Sequence, residues 1–363
     1  MAKRVSVDKW LFAVTLLLVV IGLIMVFSAS AVVSSERHQS PYTFLWKQLV
    51  YAAIGLLAMF ATMHIDYKRF KHPALVFTSL AVPAVLLVAV FFLDRSHNTH
   101  RWIRFAGFSF QPSELAKPAI ILFLAWFLET RSKSINDWKH TLLPAIAPTL
   151  FFAVLIVAEP DLGTAMVCVA VTSAMLFTAG MYYRYLGLGV LATLPFLGYL
   201  ILMKPWRLKR ILVFLNPDAD PQSTGYQIIQ SLIAVGTGGL TGLGLMEGKQ
   251  KLFYLPEAHT DFIFAVIAEE WGLIGALFVV ILFAVFCWRG IRTALATRDN
   301  FARLLAVGVT ALVGVQAFFN ISVVIGLLPA KGIPLPLISY GGSSLIVTLA
   351  SIGVLLNISQ QAE

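Results

Sequence analysis

Charge is what this chain has least of. Charged residues fill 12% of its 363 positions and hydrophobic ones 59%, where an average soluble domain carries about 25% charge. A chain so poor in charge cannot clothe a water-facing surface, which excludes an ordinary soluble enzyme. Cysteine is equally scarce. Cys168 and Cys287 both fall inside apolar runs, so they read as small buried hydrophobes and exclude a disulfide framework. A phosphate-binding P-loop is absent. Gly187-Leu188-Gly189-Val190-Leu191-Ala192 has the spacing of a dinucleotide fingerprint but sits inside an apolar run, without the strand and turn that motif needs. His97, His100 and His259 show no metal-ligand spacing; a divalent cation, Mg or Mn, stays open as a cofactor with no ligand set assigned to it. No internal repeat, low-complexity tract or coiled coil is present.

What the chain has is long apolar runs. A helical span needs about 20 apolar residues, and ten runs qualify: 10–32, 45–65, 73–93, 113–129, 141–158, 162–181, 185–203, 261–288, 304–328 and 338–358. The expected fold is therefore an all-α polytopic membrane protein of about ten transmembrane helices, a single domain over 1–363 with no soluble domain attached. The first run follows Lys3, Arg4 and Lys9 like a signal peptide, but it is longer than the usual apolar core of about 7–15 residues and reads as an uncleaved anchor. Lys and Arg are more numerous in the short loops on the N-terminal side, including Lys68, Arg69, Lys71, Arg131, Lys133, Arg289 and Arg292. The positive-inside rule then puts both termini in the cytoplasm and the long polar loop at 204–260 outside.

That loop has three parts. Lys204-Pro205-Trp206-Arg207-Leu208-Lys209-Arg210 is basic with apolar residues between, as suits a membrane-surface helix. Residues 216–221 read as a turn, and Tyr226 to Ala234 as a short amphipathic stretch before a glycine-rich segment. The loop ends in Pro256-Glu257-Ala258-His259-Thr260-Asp261, directly before an apolar run. A carboxylate at that boundary serves either as a favourable charge at a helix start or as a chemical group.

Other polar groups carry the same double reading. Glu269 and Glu270 lie about 12–13 Å deeper along the helix and must pair with a cation, face a cavity or hold a proton; a structural partner and a transport role weigh equally. Asp161, in Glu159-Pro160-Asp161-Leu162-Gly163-Thr164, is either a helix N-cap or an acid placed near Asp261. Glu114 and Lys117 are spaced i,i+3 and suited to pair, or to line a cation-rich entrance with Arg101 and Arg104. The cations Arg101, Arg104, Lys117, Arg207, Lys209, Arg210, Lys249, Lys251 and Lys331 suit lipid headgroups, or in part an anionic head such as a pyrophosphate. The expected partners are membrane lipids, with no nucleic acid. Between Lys331 and Ser344, prolines and glycines loosen the chain while Ser339, Tyr340 and Ser343 supply hydrogen-bonding groups, or simply allow close helix packing.

Four stretches together resemble one family. They are Arg101-Trp102-Ile103 with Phe110-Gln111-Pro112-Ser113-Glu114-Leu115-Ala116-Lys117; Glu159 to Thr164; Gly225-Tyr226-Gln227 and Tyr254 to Ala265 with Glu269-Glu270; and Lys331 to Ser344. They are similar to the signatures of the SEDS family (shape, elongation, division and sporulation), over nearly the whole chain. The resemblance implies a ten-span peptidoglycan glycosyltransferase that polymerises lipid II on the outer face of the cytoplasmic membrane, with a class B penicillin-binding protein as crosslinking partner. It puts the family's essential acid on Asp261 and favours a division role over elongation. Arg101, Glu114, Lys117, Asp161, Arg207, Arg210, His259, Lys331, Ser339 and Ser343 are then the expected substrate-binding residues. The rival readings are a lipid II flippase, with Glu269 and Glu270 serving translocation, and a non-catalytic scaffold for the crosslinking partner.

Overall fold

A computed structural model describes residues 7–38, 40–94, 101–105, 108–203, 205–216 and 224–361. In chain order it forms α1 (Lys9–His38), α2 (Thr43–His64), α3 (Pro73–Leu93), a hairpin of β1 (Ile103–Phe105) and β2 (Phe108–Phe110), α4 (Pro112–Thr130), α5 (Leu143–Ala158), α6 (Leu162–Thr178), α7 (Tyr183–Leu202), α8 (Pro205–Leu215), α9 (Thr224–Thr237), α10 (Ile263–Ala296), α11 (Asn300–Val324) and α12 (Gly342–Ser359). A helix occupies each of the ten apolar runs. Seven of these helices are long and apolar enough to cross a membrane by length and composition, among the described residues. Two others miss for visible reasons. Helix α6 is only 17 residues long, and α4 carries Glu114, Lys117 and Glu129.

The polar loop at 204–260 is largely structured. Its basic start is α8 and its amphipathic stretch α9. The turn read at 216–221 lies, beyond Asn216, outside the described residues, as do His97 and His100. Helices α11, α4 and α6 pack on one another, α12 lies along α2, and α10 packs between α1 and α11. Buried residues on α11 and α12 form much of the core.

At 34 residues α10 would run about 51 Å if straight, well beyond a hydrocarbon core of about 30 Å. It is broken at Gly272, whose φ of 65° and ψ of −165° are not helical. A break inside a bilayer frees backbone groups that water cannot satisfy. Here the glycine-rich segment after α9 satisfies them. Leu243 N donates to Glu269 O at 3.0 Å and Gly244 N to Glu270 O at 3.0 Å, while Leu273 N donates to Gly239 O at 2.9 Å and Ile274 N to Leu240 O at 3.2 Å. The approach is too close for side chains. A Cβ on Gly272 would stand 2.3 Å from Gly242 N, and one on Gly242 would stand 2.1 Å from Glu270 O.

The same junction accounts for the two deep acids. Glu270 accepts from Lys251 Nζ at 2.5 Å, Ser28 Oγ at 2.6 Å and Met246 N at 3.0 Å. Glu269 Oε1 accepts from Lys249 N at 2.8 Å and Gln250 N at 3.1 Å. Lys251, read from the sequence among cations for headgroups or an anion, is instead buried in an ion pair. Both glutamates fasten the loop at 246–251 to the α10 break, and the support they lent to a translocation path falls away.

Candidate active site

Asp261 ends the long loop two residues before α10 begins. Its carboxyl lines a cavity of about 800 Å³ walled by the turn before α6, by α8, by α9 and by the loop after α11. Asp161, Arg101, Arg207, Arg210 and Lys331 line the same cavity, together with Glu257, Gln227, Met166 and Gly332. Three carboxylates therefore face four cations across one space.

Local chemistry explains each placement. Asp161 caps α6: its Oδ1 accepts from Thr164 N at 3.1 Å and its Oδ2 from Thr164 Oγ1 at 2.8 Å. Gln111 Nε2 donates to the same Oδ2 at 3.2 Å, and Gln111 N donates to Ser343 Oγ at 3.3 Å. The N-cap reading and the cavity reading of Asp161 thus hold together. Arg101 donates from Nε to Glu159 O at 2.8 Å and from a terminal nitrogen to Pro160 O, clamping the turn that presents Asp161. Helix α8 carries Arg207 and Arg210 one turn apart, so both reach the cavity while Leu212 and Leu215 face outward. Lys331 Nζ lies 2.7 Å from the Met166 sulfur, and no carboxylate forms an ion pair with it among the described residues.

Burial sets the protonation chemistry. It raises the Asp261 carboxyl from its ordinary 3.8 to about 7, helped by Glu257 and Asp161 and opposed by Arg101 and Arg210. The Glu159 carboxyl, buried and without a hydrogen-bond partner among the described residues, is raised to about 8 by burial and by Asp161. Burial, with Arg207 and Arg210 nearby, lowers Lys331 to about 8. The guanidinium groups of Arg207 and Arg210 are also lowered by burial. A carboxylate that titrates near neutrality beside a wall of cations can take up a proton while an anion is held next to it.

The remaining expected site residues stand outside the cavity lining. Glu114 and Lys117 form a buried ion pair at 2.7 Å within α4, each at most 3% exposed. His259 packs its ring on Phe44 and Tyr340, with centroids 4.9 and 5.8 Å away. Ser339 Oγ donates to Thr260 O at 2.5 Å and accepts from Leu335 N at 2.8 Å. Ser343 reaches Asp161 only through Gln111. Gln227 and Glu257 join the cavity lining without being among the expected ligands, and both lie in the stretches that carry the family resemblance.

Fold and site define a class: a multi-pass helical membrane protein with a cation-walled, carboxylate-bearing cavity at one end of its helices. The chain belongs to the FtsW, RodA and SpoVE family, whose model, described as cell cycle protein, matches residues 8–363. Over 363 residues it is 44% identical to a probable peptidoglycan glycosyltransferase FtsW of Geobacter sp. strain M18, covering 97% of this chain and 96% of that one. Stage V sporulation protein E of Bacillus subtilis strain 168 is likewise 44% identical, over 99% of this chain and 98% of its own. Among solved structures, one described as showing structural coordination of polymerization and crosslinking by a peptidoglycan synthase complex matches with a TM-score of 0.81 at 30% identity, covering 98% of each chain. The rod shape-determining protein RodA of Thermus thermophilus matches with a TM-score of 0.72 at 28% identity, again over 98% of each chain.

Proposed function

We propose that this chain is a peptidoglycan glycosyltransferase that polymerises lipid II into glycan strands at the outer face of the cytoplasmic membrane. The observation that carries this reading is the single cavity that brings Asp261 together with Arg101, Arg207, Arg210 and Lys331. Lipid II has a polyprenyl tail, a pyrophosphate and a sugar–peptide head. An apolar bundle suits the tail, the cations suit the pyrophosphate, and the carboxylates suit the sugar hydroxyls.

In the proposed reaction Asp261 takes the proton from the acceptor's GlcNAc 4-hydroxyl. That oxygen attacks C1 of the donor's MurNAc from the face opposite the leaving group. The bond from C1 to the pyrophosphate oxygen breaks with its electron pair, and polyprenyl pyrophosphate departs with inversion at C1. Arg207, Arg210 and Lys331 offset the charge that grows on the leaving oxygens. Arg101 spends its hydrogen bonds on two carbonyls, so it holds the turn bearing Asp161 and adds charge at longer range. The Glu114–Lys117 pair, Ser339, Ser343 and His259 shape the walls behind these groups. For a divalent cation the fit is poor: among the described residues no three His, Cys, Asp or Glu side chains group as metal ligands, and Asp161 already accepts from Thr164 and Gln111. The mechanism routes no step through Mg or Mn.

Both termini are proposed to be cytoplasmic and the 204–260 loop external, on the distribution of Lys and Arg. A division role rather than elongation is supported by 44% identity to a relative named FtsW against 28% to RodA, with stage V sporulation protein E also at 44%. A class B penicillin-binding protein is the proposed partner, supported by the likeness to a subunit of a complex that coordinates polymerization with crosslinking. The test is the full chain, purified with that partner and given labelled lipid II. Glycan polymer is the expected product. Movement of lipid II across the membrane without polymer would make the chain a flippase, and neither activity would make it a scaffold; both would overturn this reading.

A further inference from the structure

Three successive backbone carbonyls lead up to the Asp261 side chain, and a donor from the last third of the chain holds each one. Tyr340 N donates to His259 O at 2.9 Å, Ser339 Oγ to Thr260 O at 2.5 Å and Asn320 Nδ2 to Asp261 O at 2.7 Å. Asn320 does more than complete this set. Its Nδ2 also donates to Ile333 O at 2.8 Å, two residues beyond Lys331. One amide on α11 therefore ties the segment carrying Asp261 to the segment carrying Lys331.

The orientation of that amide follows from its partners. Turned over, it would set its oxygen against two carbonyl oxygens, so only the donor can face them. Asn320 is 2% exposed, and its Oδ1 accepts no hydrogen bond among the described residues. A buried amide with an unpaired acceptor costs stability. The bridge is what that cost maintains. Space between the two segments is tight, since a Cβ on Gly332 would stand 2.8 Å from Asp261 Oδ2. A small shift of either segment thus changes where the carboxylate lies relative to the lysine.

We propose that Asn320 is a positioning residue for glycosyl transfer, holding the Asp261 carboxylate at a fixed separation from the Lys331 ammonium. This rests on the reading of Asp261 as the base. It is tested with Asn320→Leu, which keeps the size of the side chain and removes both donors, in the full chain with lipid II as substrate. Displacement of a reacting group by 1 Å can cost about 10²-fold in rate, and a loss of about that size in kcat is expected with KM unchanged. A loosened Asp261 also gains water, so the acid limb of the pH–rate profile is expected to move to lower pH. An unchanged rate would overturn the proposal. So would a lower rate with the acid limb in place, because a merely structural asparagine would give that result. If Asn320→Leu cannot be recovered folded, Ser339→Ala removes the neighbouring bridge and must move the acid limb the same way with a smaller loss; a parent-like limb overturns the proposal. Asp261→Asn, run alongside, separates the two claims. If it is active, the base assignment fails and takes this proposal with it. If it is inactive while Asn320→Leu behaves like the parent, only the role of Asn320 fails.

Discussion

Asp261→Asn is expected to lower glycan polymerisation by about 10²–10⁴-fold, the usual contribution of a positioned general base, while the protein stays folded in the membrane. The substitution keeps the size of the side chain and removes its ability to take a proton. Its effect on stability should run the other way. Burial raises the Asp261 carboxyl from 3.8 to about 7, so the folded chain holds that proton more tightly than the unfolded chain does. The stability this provides is fully present below the unfolded value and is lost as pH rises through about 7. An asparagine pays no ionisation penalty. The variant should therefore melt above the parent at alkaline pH, with the gap narrowing in acid. Thermal unfolding at several pH values, beside the polymerisation assay, reads both effects. An Asp261→Asn protein that melts lower at alkaline pH would show that the carboxylate is stabilising there, contrary to the burial argument.

The second large effect lies away from the cavity. Glu270→Ala leaves the Lys251 ammonium, 4% exposed and paired at 2.5 Å, without its carboxylate. Breaking a buried ion pair from one side typically costs about 3–5 kcal/mol. The same change releases Ser28 Oγ and Met246 N, so the loop at the α10 break should loosen. Melting should fall sharply, and amide exchange over residues 243–250 should speed up. The double replacement Glu270→Gln with Lys251→Met should recover much of the loss, because it leaves no charge buried. A Glu270→Ala protein that melts like the parent would mean that the pair does not hold the break together.

Much of this architecture is legible in the sequence, because the bilayer imposes a length and a polarity on every span. The ten apolar runs mark the helices, and the amphipathic patterns of α8 and α9 mark the two helices within the long loop. Asp161, Asp261, Arg207, Arg210 and Lys331 stand out because charge beside an apolar run is costly. What stays hidden depends on contacts between distant segments. Gly272 looks like any small residue in a span until residues 239–244 arrive to bond its neighbours. Glu269 and Glu270 suit a structural partner and a transport role equally until the amides of Met246, Lys249 and Gln250 are found on them. His259 sits two residues from Asp261 in the chain, yet its ring turns to Phe44 and Tyr340. Asn320 is one of two buried amides inside an apolar run, the other being Gln316, and only its two carbonyl partners give it meaning.

The proposed base is Asp261, a partly covered carboxylate in a cation-walled cavity. The most direct test is the pH dependence of lipid II polymerisation by the full chain. The rate is expected to rise with pH along an acid limb centred near 7, the value to which burial lifts Asp261, and to fall again as Lys331 loses its proton near 8. A rate that stays flat from pH 5 to pH 8, a range of about three units over which a general base with that pKa must change its protonation, would contradict that assignment.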